Sequence, residues 1–129
     1  ENDIFNKAVD IYHKGYDTIT LFGCLTKEHY DDDMLINVIN GKILNVGKDL
    51  KKANGISSGA ILMCKSGLQK YLDTINLESV DKLKTHHGIL QFIMDTGYDI
   101  NFVDLGDRKW LEVDNQIDLN HGKKYFSKY

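Results

Sequence analysis

The chain has 129 residues, no proline, a formal net charge of −3, and 42% hydrophobic against 27% charged residues. That is enough for one domain with a true core, and it is ordinary for a soluble globular protein. Acids and bases are interspersed without a basic stripe, which argues against a duplex nucleic-acid binder, and the longest apolar runs, such as Gly59 to Cys64, are too short to span a bilayer.

The first predicted element runs from Asp3 to Lys14. Ile4, Phe5, Ala8, Val9, Ile11 and Tyr12 fall at amphipathic-helix spacing, and Gly15 is a natural stop. The opening "ENDIFNKAVD" is acidic and amphipathic and does not read as a signal peptide. "DTITLFGC" reads as a strand ended near Gly23. "DMLINVINGKILNVGKDL" is the clearest local signal: two alternating strands flank Asn40-Gly41, a dipeptide suited to a two-residue hairpin turn with positive φ at both positions. "ISSGAILMC" has the length and apolarity of a buried strand. Ser66 is the expected cap of a helix through about Thr74, with Leu68, Tyr71, Leu72 and Ile75 on one face.

"SVDKLKTHHGILQFIMDTG" predicts a further helix ending at Gly97, and "DINFVDLG" alternates like a strand. "KWLEVD" is short and strand-like. Asn115 to Tyr129 reads as the last helix: Asn115 with Asp118 resembles a capping box, and Lys123, Lys124 and Lys128 suit the C-terminal end of the helix dipole. Strands mixed with helices predict an α/β fold, a mixed sheet with flanking helices and a β-hairpin. Cys24 and Cys64 lie in or beside apolar segments, outside any ligand-like spacing. Two reduced, buried thiols in a cytoplasmic protein are expected, with a disulfide as the minor alternative.

The chain carries no GxGxxG and no GxxxxGK[ST], and it opens on a helix rather than on the strand and Gly-rich turn of a nucleotide-binding start. Its later part nevertheless resembles a known family. "KWLEVDNQIDL" is similar to the W-x-E-I-D-x-x-x-D-L ending of sugar-nucleotidyltransferase-like enzymes, and more narrowly of cytidylyltransferases acting on phosphocholine or phosphonates. "DDDMLINVINGKILNVGKDL" resembles the hairpin that ends in the family's lysine. "NGISSGAILMCKSGLQKYL" resembles its G-I/L strand and following helix, and "GYDINFVDLGDRKWLEVD" its closing strand pair. The resemblance covers nearly all of this chain but only about the C-terminal half of the family's catalytic domain. The G-x-G-x-R phosphate loop and the P-K motif are absent, whereas "ENDIF" resembles the segment whose aspartate binds magnesium.

The resemblance implies Mg²⁺-dependent nucleotidyl transfer from an NTP, CTP in this branch, to a phosphorylated or phosphonate small molecule. The chain is then expected to be the later half of such a domain and inactive alone. It implies Asp114, with Glu112 and Asp3, as metal ligands, Lys48 as the cation on the acceptor's phosphate, and Ser57, Ser58 and Gly59 where the sheet approaches the acceptor. Each residue has a plainer reading. Glu112 and Asp114, two apart on a strand, share a face and would repel unless a cation lies between them; otherwise Glu112 is solvated and Asp114 caps the helix. Lys48 is otherwise a surface lysine near Lys42, Lys51 and Lys52, and Gly59 a bulge or packing position.

Asp118 reads as structural and Trp110 as a packing residue beside the site. "YDDD" reads as a solvated approach to the hairpin, and His86-His87 as a helix start or surface pair rather than a metal site. The competing function is a non-catalytic α/β interaction or regulatory module. A half-domain would also expose a sheet edge, so a homodimer is a further expectation.

Overall fold

The structure, a computed structural model, describes residues 3–14, 18–29, 31–77, 85–106, 110 and 113–127, with side chains from residue 6 onward except 125. In chain order the elements are α1 (Asp3–His13), β1 (Ile19–Leu25), β2 (Leu35–Ile39), β3 (Lys42–Gly47), β4 (Gly55–Met63), α2 (Lys65–Ile75), α3 (His86–Asp95), β5 (Ile100–Asp104) and α4 (Gln116–Phe126). The expected mixed α/β architecture is present.

β1 lies between β4, its antiparallel neighbour, and β5, its parallel one. The β2–β3 hairpin turns on Asn40 (φ 52°) and Gly41 (φ 73°), the positive angles that its turn type demands. The hairpin then crosses diagonally over that three-stranded unit. At its base Leu35 pairs with Ile56, which pairs with Cys24 near the end of β1. Near its tip Ile43 pairs with Ile100, which pairs with Ile19 at the start of β1. The sheet thereby closes in the order β1-β4-β2-β3-β5. Closure rests on two residue pairs at each junction, Leu35–Ile56 and Ile36–Gly55 between β2 and β4, and Lys42–Asn101 and Ile43–Ile100 between β3 and β5.

The inward faces meet in one cluster: Ile19 and Leu21 of β1, Ile36 and Val38 of β2, Ile43 and Val46 of β3, Leu90 and Ile93 of α3, and Ile100 of β5. Each fully buried side chain of this size contributes roughly 1.5–3 kcal/mol. α3 docks on β3 with a specific bond as well, the Val46 N–H donating to Gln91 Oε1 at 2.8 Å.

Several expectations are corrected. α2 is capped not by Ser66 but at Cys64, whose side chain makes no cap bond. The Cys64 N–H donates to the Thr18 carbonyl, so β4 runs into the helix with no room for a separate capping turn. α2 buries Gly67 and Thr74, not the stripe of Leu68, Leu72 and Ile75, which are exposed. A Cβ at Gly67 would stand 2.7 Å from the Thr18 carbonyl oxygen, and this close approach turns the larger residues to the flanks. α3 begins at His86 behind the N-cap Thr85, whereas Ser79 to Lys84 of the longer predicted helix lie outside the described residues. Trp110, Val113 and Asp114 belong to no strand, and the rest of "KWLEVD" lies outside the described residues.

Both cysteines are free but half-buried rather than buried. Cys24 pairs with Ile56, while Cys64 follows Met63, the partner of Ile19, so the two thiols sit at opposite ends of β1. That separation excludes a bridge between them.

Candidate functional site

The C-terminal ends of β1 and β5 carry a polar network. Asp104 closes β5. Its Oδ1 accepts the Gly106 N–H at 2.9 Å and the Leu25 N–H at 3.3 Å, tying the two strand ends together. Its carbonyl accepts Lys7 Nζ at 2.7 Å, which brings α1 to the same place. Asp3 begins α1 one turn before Lys7, about 6 Å along the helix axis from the Lys7 backbone. Glycine two residues after an aspartate is the spacing of an Asx turn, a signal for Asp104 that the reading of "DINFVDLG" as a strand passed over.

Trp110 is half-buried beside this network. Its indole N–H donates to Cys24 Sγ at 3.2 Å, and Cys24 Sγ–H donates to the Gly106 carbonyl at 3.3 Å. The ring therefore packs at the mouth of the sheet, as expected. Beyond it, Asp114 is exposed and immediately precedes the cap of α4. Asn115 Oδ1 accepts the Ile117 and Asp118 N–H groups, and Asp118 Oδ2 accepts the Asp114 and Asn115 N–H groups. Asp118 is thus a structural carboxylate. The capping role considered for Asp114 falls to Asn115, and no donor or cation among the described residues engages the Asp114 carboxylate.

Lys48 follows Gly47 at the base of the hairpin and is exposed. Gly47, Leu35, Ile56 and Cys24 are successive cross-strand partners, which puts Lys48 at the same end of the sheet as Trp110, about 15 Å away along the ladder. Ser58 and Gly59 lie further down β4, in a bulge. The Ser58 hydroxyl donates to the Phe22 carbonyl at 2.8 Å, so it serves the bulge. Gly59 has φ +73°, and a Cβ added there would meet nothing within 4 Å.

The Glu112 side chain and that of Asp3 lie outside the described residues, so the same-face argument for Glu112 and Asp114 has no described strand beneath it. Among the described residues no group of three or more His, Cys, Asp or Glu gathers. Mg²⁺ needs less from a protein: one or two carboxylates, with phosphate oxygens and water completing the shell. A free, exposed carboxylate such as Asp114 fits that requirement. Asp31 and Asp32 are exposed, in keeping with the plain reading of "YDDD", whereas Asp33 is half-buried.

No family model matches the chain, and no curated protein sequence matches it. Solved structures do. The inositol-1-phosphate CTP transferase from T. maritima superposes with a TM-score of 0.68 at 23% identity, over 85% of this chain and 44% of that one. CMP:2-keto-3-deoxy-manno-octonic acid synthetase complexed with CTP gives 0.70 at 11% identity, over 98% and 56%. A protein described as a glucose-1-phosphate thymidylyltransferase from Bacillus anthracis, in complex with sucrose, gives 0.66 at 13%, over 91% and 46%. The fold is nucleotidyltransferase-like. The chain spans about half the length of each of these solved structures. The similarity agrees with the expected fold class, and the nucleotidyltransferase-like fold accounts for strands that a local reading of the sequence could not order. None of the helices among the described residues is long and apolar enough to cross a membrane.

One buried polar pair was missed. His87 is buried on α3, its Nε2 2.9 Å from Ser57 Oγ, whereas its neighbour His86 is the exposed start of the helix. Desolvation, and to a smaller extent the charge of His86, pushes the His87 pKa from 6.5 down to about 4. Burial also raises the pKa of Tyr71 on α2.

Proposed function

We propose that the chain carries part of the site for Mg²⁺-dependent nucleotidyl transfer from an NTP, with CTP favoured, to a phosphorylated or phosphonate small molecule. The observation that carries this reading is the free Asp114 carboxylate beyond Trp110, on a fold shared with proteins described as CTP and sugar-phosphate transferases. In the reaction an oxygen of the acceptor's phosphate attacks the α-phosphorus of the NTP. The new P–O bond forms as the bond to the bridging oxygen breaks, and pyrophosphate leaves with the electron pair.

Such a transfer needs positioning and charge neutralisation rather than covalent catalysis. Mg²⁺, when bound, would supply charge neutralisation at the phosphate oxygens. Asp114 would hold it, with Glu112 and Asp3 as further ligands. Lys48 would orient the acceptor through its phosphate, supported by its place at the same end of the sheet. The open backbone at Gly59, with Ser58, would let the acceptor come close. Recognition of the base, and the cradling of the triphosphate by a Gly-rich loop that these 129 residues do not contain, would fall to other residues, leaving this chain the contact through Mg²⁺ at Asp114. A cytoplasmic location is in keeping with the two free thiols.

Calorimetry of the 129-residue chain with phosphocholine, glucose 1-phosphate and an alkylphosphonate, in Mg²⁺, tests the acceptor side. One of these compounds is expected to bind, Lys48→Ala to weaken it about tenfold, and its dephosphorylated analogue not to bind. No pyrophosphate should appear on adding CTP, and release by the isolated chain would overturn the assignment of nucleotide recognition elsewhere. If none of the three acceptors binds, the non-catalytic module becomes the better account.

A further inference from the structure

Between Leu21 and Gly23 the β1–β4 register shifts: Leu21 pairs with Ile61 and Gly23 with Ser57. Residues 58–60 of β4 therefore stand opposite Phe22 alone, and Gly59 takes φ +73°. A bulge leaves backbone groups without ladder partners, and here two serines replace them. Ser58 Oγ donates to the Phe22 carbonyl and accepts the Ala60 N–H at 3.3 Å. Ser57 Oγ accepts the Gly59 N–H at 3.0 Å. The Ser57 hydroxyl has one proton to give, and the acceptor in reach is His87 Nε2 at 2.9 Å. The ring is then the tautomer with its proton on Nδ1, and the Gly59 N–H, the Ser57 hydroxyl and His87 form one directional chain.

We propose that His87 is a positioning residue, which acts through Ser57 to set the conformation of the Gly59 bulge in β4. α3 is fixed where this is possible, since Thr85 Oγ1 accepts the Gly88 N–H at 3.2 Å and caps the turn that carries His87. Protonation of His87 would reverse the relay. Nε2 would become a donor, and the Ser57 oxygen would face two N–H donors. Its own proton would need a new acceptor in a buried site, so the hydroxyl that holds the Gly59 N–H would have to turn.

Burial of the ring and the neighbouring His86 favour its neutral form. On α3 the His86 ring lies 3.9 Å away between centroids. α2 brings Tyr71 against the same core, and β4 brings Ser57 itself. On the β2 side Asp33 precedes Met34, whose carbonyl accepts the Ser57 N–H. β3 contributes Val46, bonded to the neutral Gln91 of α3. That the bulge faces the acceptor rests on the proposed function; that His87 shapes the bulge does not.

The test is ¹H–¹⁵N NMR of the 129-residue chain with labelled histidine. In the wild type the Gly59 amide shift is expected to titrate with the same midpoint as the His87 ring nitrogens, and the ring to report the Nδ1–H tautomer at pH 7. His87→Gln supplies an acceptor near the Nε2 position without a titrating group. It should keep the Gly59 shift of the wild type at pH 7 and abolish its titration. His87→Phe should speed Gly59 amide exchange at least tenfold while Leu21 stays protected. A Gly59 amide indifferent to His87 protonation, or titrating unchanged in His87→Gln, overturns the proposal, and the wild-type titration alone decides should the Phe variant fail to fold. Gly59 tracking His87 while acceptor affinity is equal in the wild type and His87→Phe upholds the relay and removes the acceptor from the bulge.

Discussion

Gly23→Ala is expected to lower stability by about 3 kcal/mol or more, the upper end of what overpacking a core costs. Gly23 sits in β1 with β4 on one side and β5 on the other, opposite Ser57 and Asp104. A Cβ there would be driven onto the Ile56 carbonyl oxygen and would stand 3.1 Å from Phe102 Cε2. The first obstacle is backbone, so no rotamer change relieves it; β1 and β4 would have to part at the bulge. The Gly23 carbonyl also accepts the Leu105 N–H, so the same movement strains the tie to the end of β5. Gly59→Ala makes the contrast. It meets nothing within 4 Å and carries only the penalty of φ +73°, about 1–2 kcal/mol. Urea unfolding of the two variants beside the wild type measures the difference. A Gly23→Ala protein within about 1 kcal/mol of the wild type would show that the strands are not this close.

Acid lability is the second large effect. With the folded-state pKa of His87 lowered from 6.5 to about 4, the unfolded chain binds a proton that the folded chain refuses across that window. Stability attributable to neutral His87 is complete above pH 6.5 and is lost as pH falls from there toward 4. At about 1.4 kcal/mol for each tenfold change in proton affinity, the loss approaches roughly 3 kcal/mol at pH 4. Other groups titrate in the same range, so the informative quantity is the difference from His87→Gln, which has no titrating group at this position. The wild type is expected to lose about 3 kcal/mol more than His87→Gln between pH 7 and pH 4 by denaturant unfolding. Parallel losses in the two proteins would mean that His87 titrates normally.

What could be read from the sequence was local. Asn40-Gly41 predicts its turn because the backbone angles belong to those two residues, and Asn115 with Asp118 predicts a cap because both partners lie within one turn. Strand order was not legible in this way. The pairings of Leu35 with Ile56 and of Ile43 with Ile100 join distant segments of similar apolar character, and nothing local marks which of them meet. The α2 face was misassigned because hydrophobicity pointed to Leu68, Leu72 and Ile75. The deciding feature was instead how closely the small Gly67 lets the helix approach Thr18.

His87 was hidden for a related reason. A His-His pair was weighed as a metal site and set aside for want of partners, yet the partner was Ser57, thirty positions away. A signal existed: His87, Leu90 and Ile93 recur at three-residue spacing on the face of α3 that is buried. At the candidate site, Trp110 packs where its apolar ring suggested and Asp118 serves the cap. Asp104 went unremarked because an alternating pattern hides a turn that begins inside it.

The central claim, a metal–nucleotide site beside Trp110, has a built-in reporter, since this is the chain's single tryptophan. Fluorescence of the 129-residue chain is to be followed as Mg²⁺·CTP is added, for the wild type and for Asp114→Asn, with CTP in EDTA as the control. The account predicts a saturable change in the wild type that needs Mg²⁺ and is lost in Asp114→Asn. A flat wild-type trace, or the same response in Asp114→Asn, would contradict it.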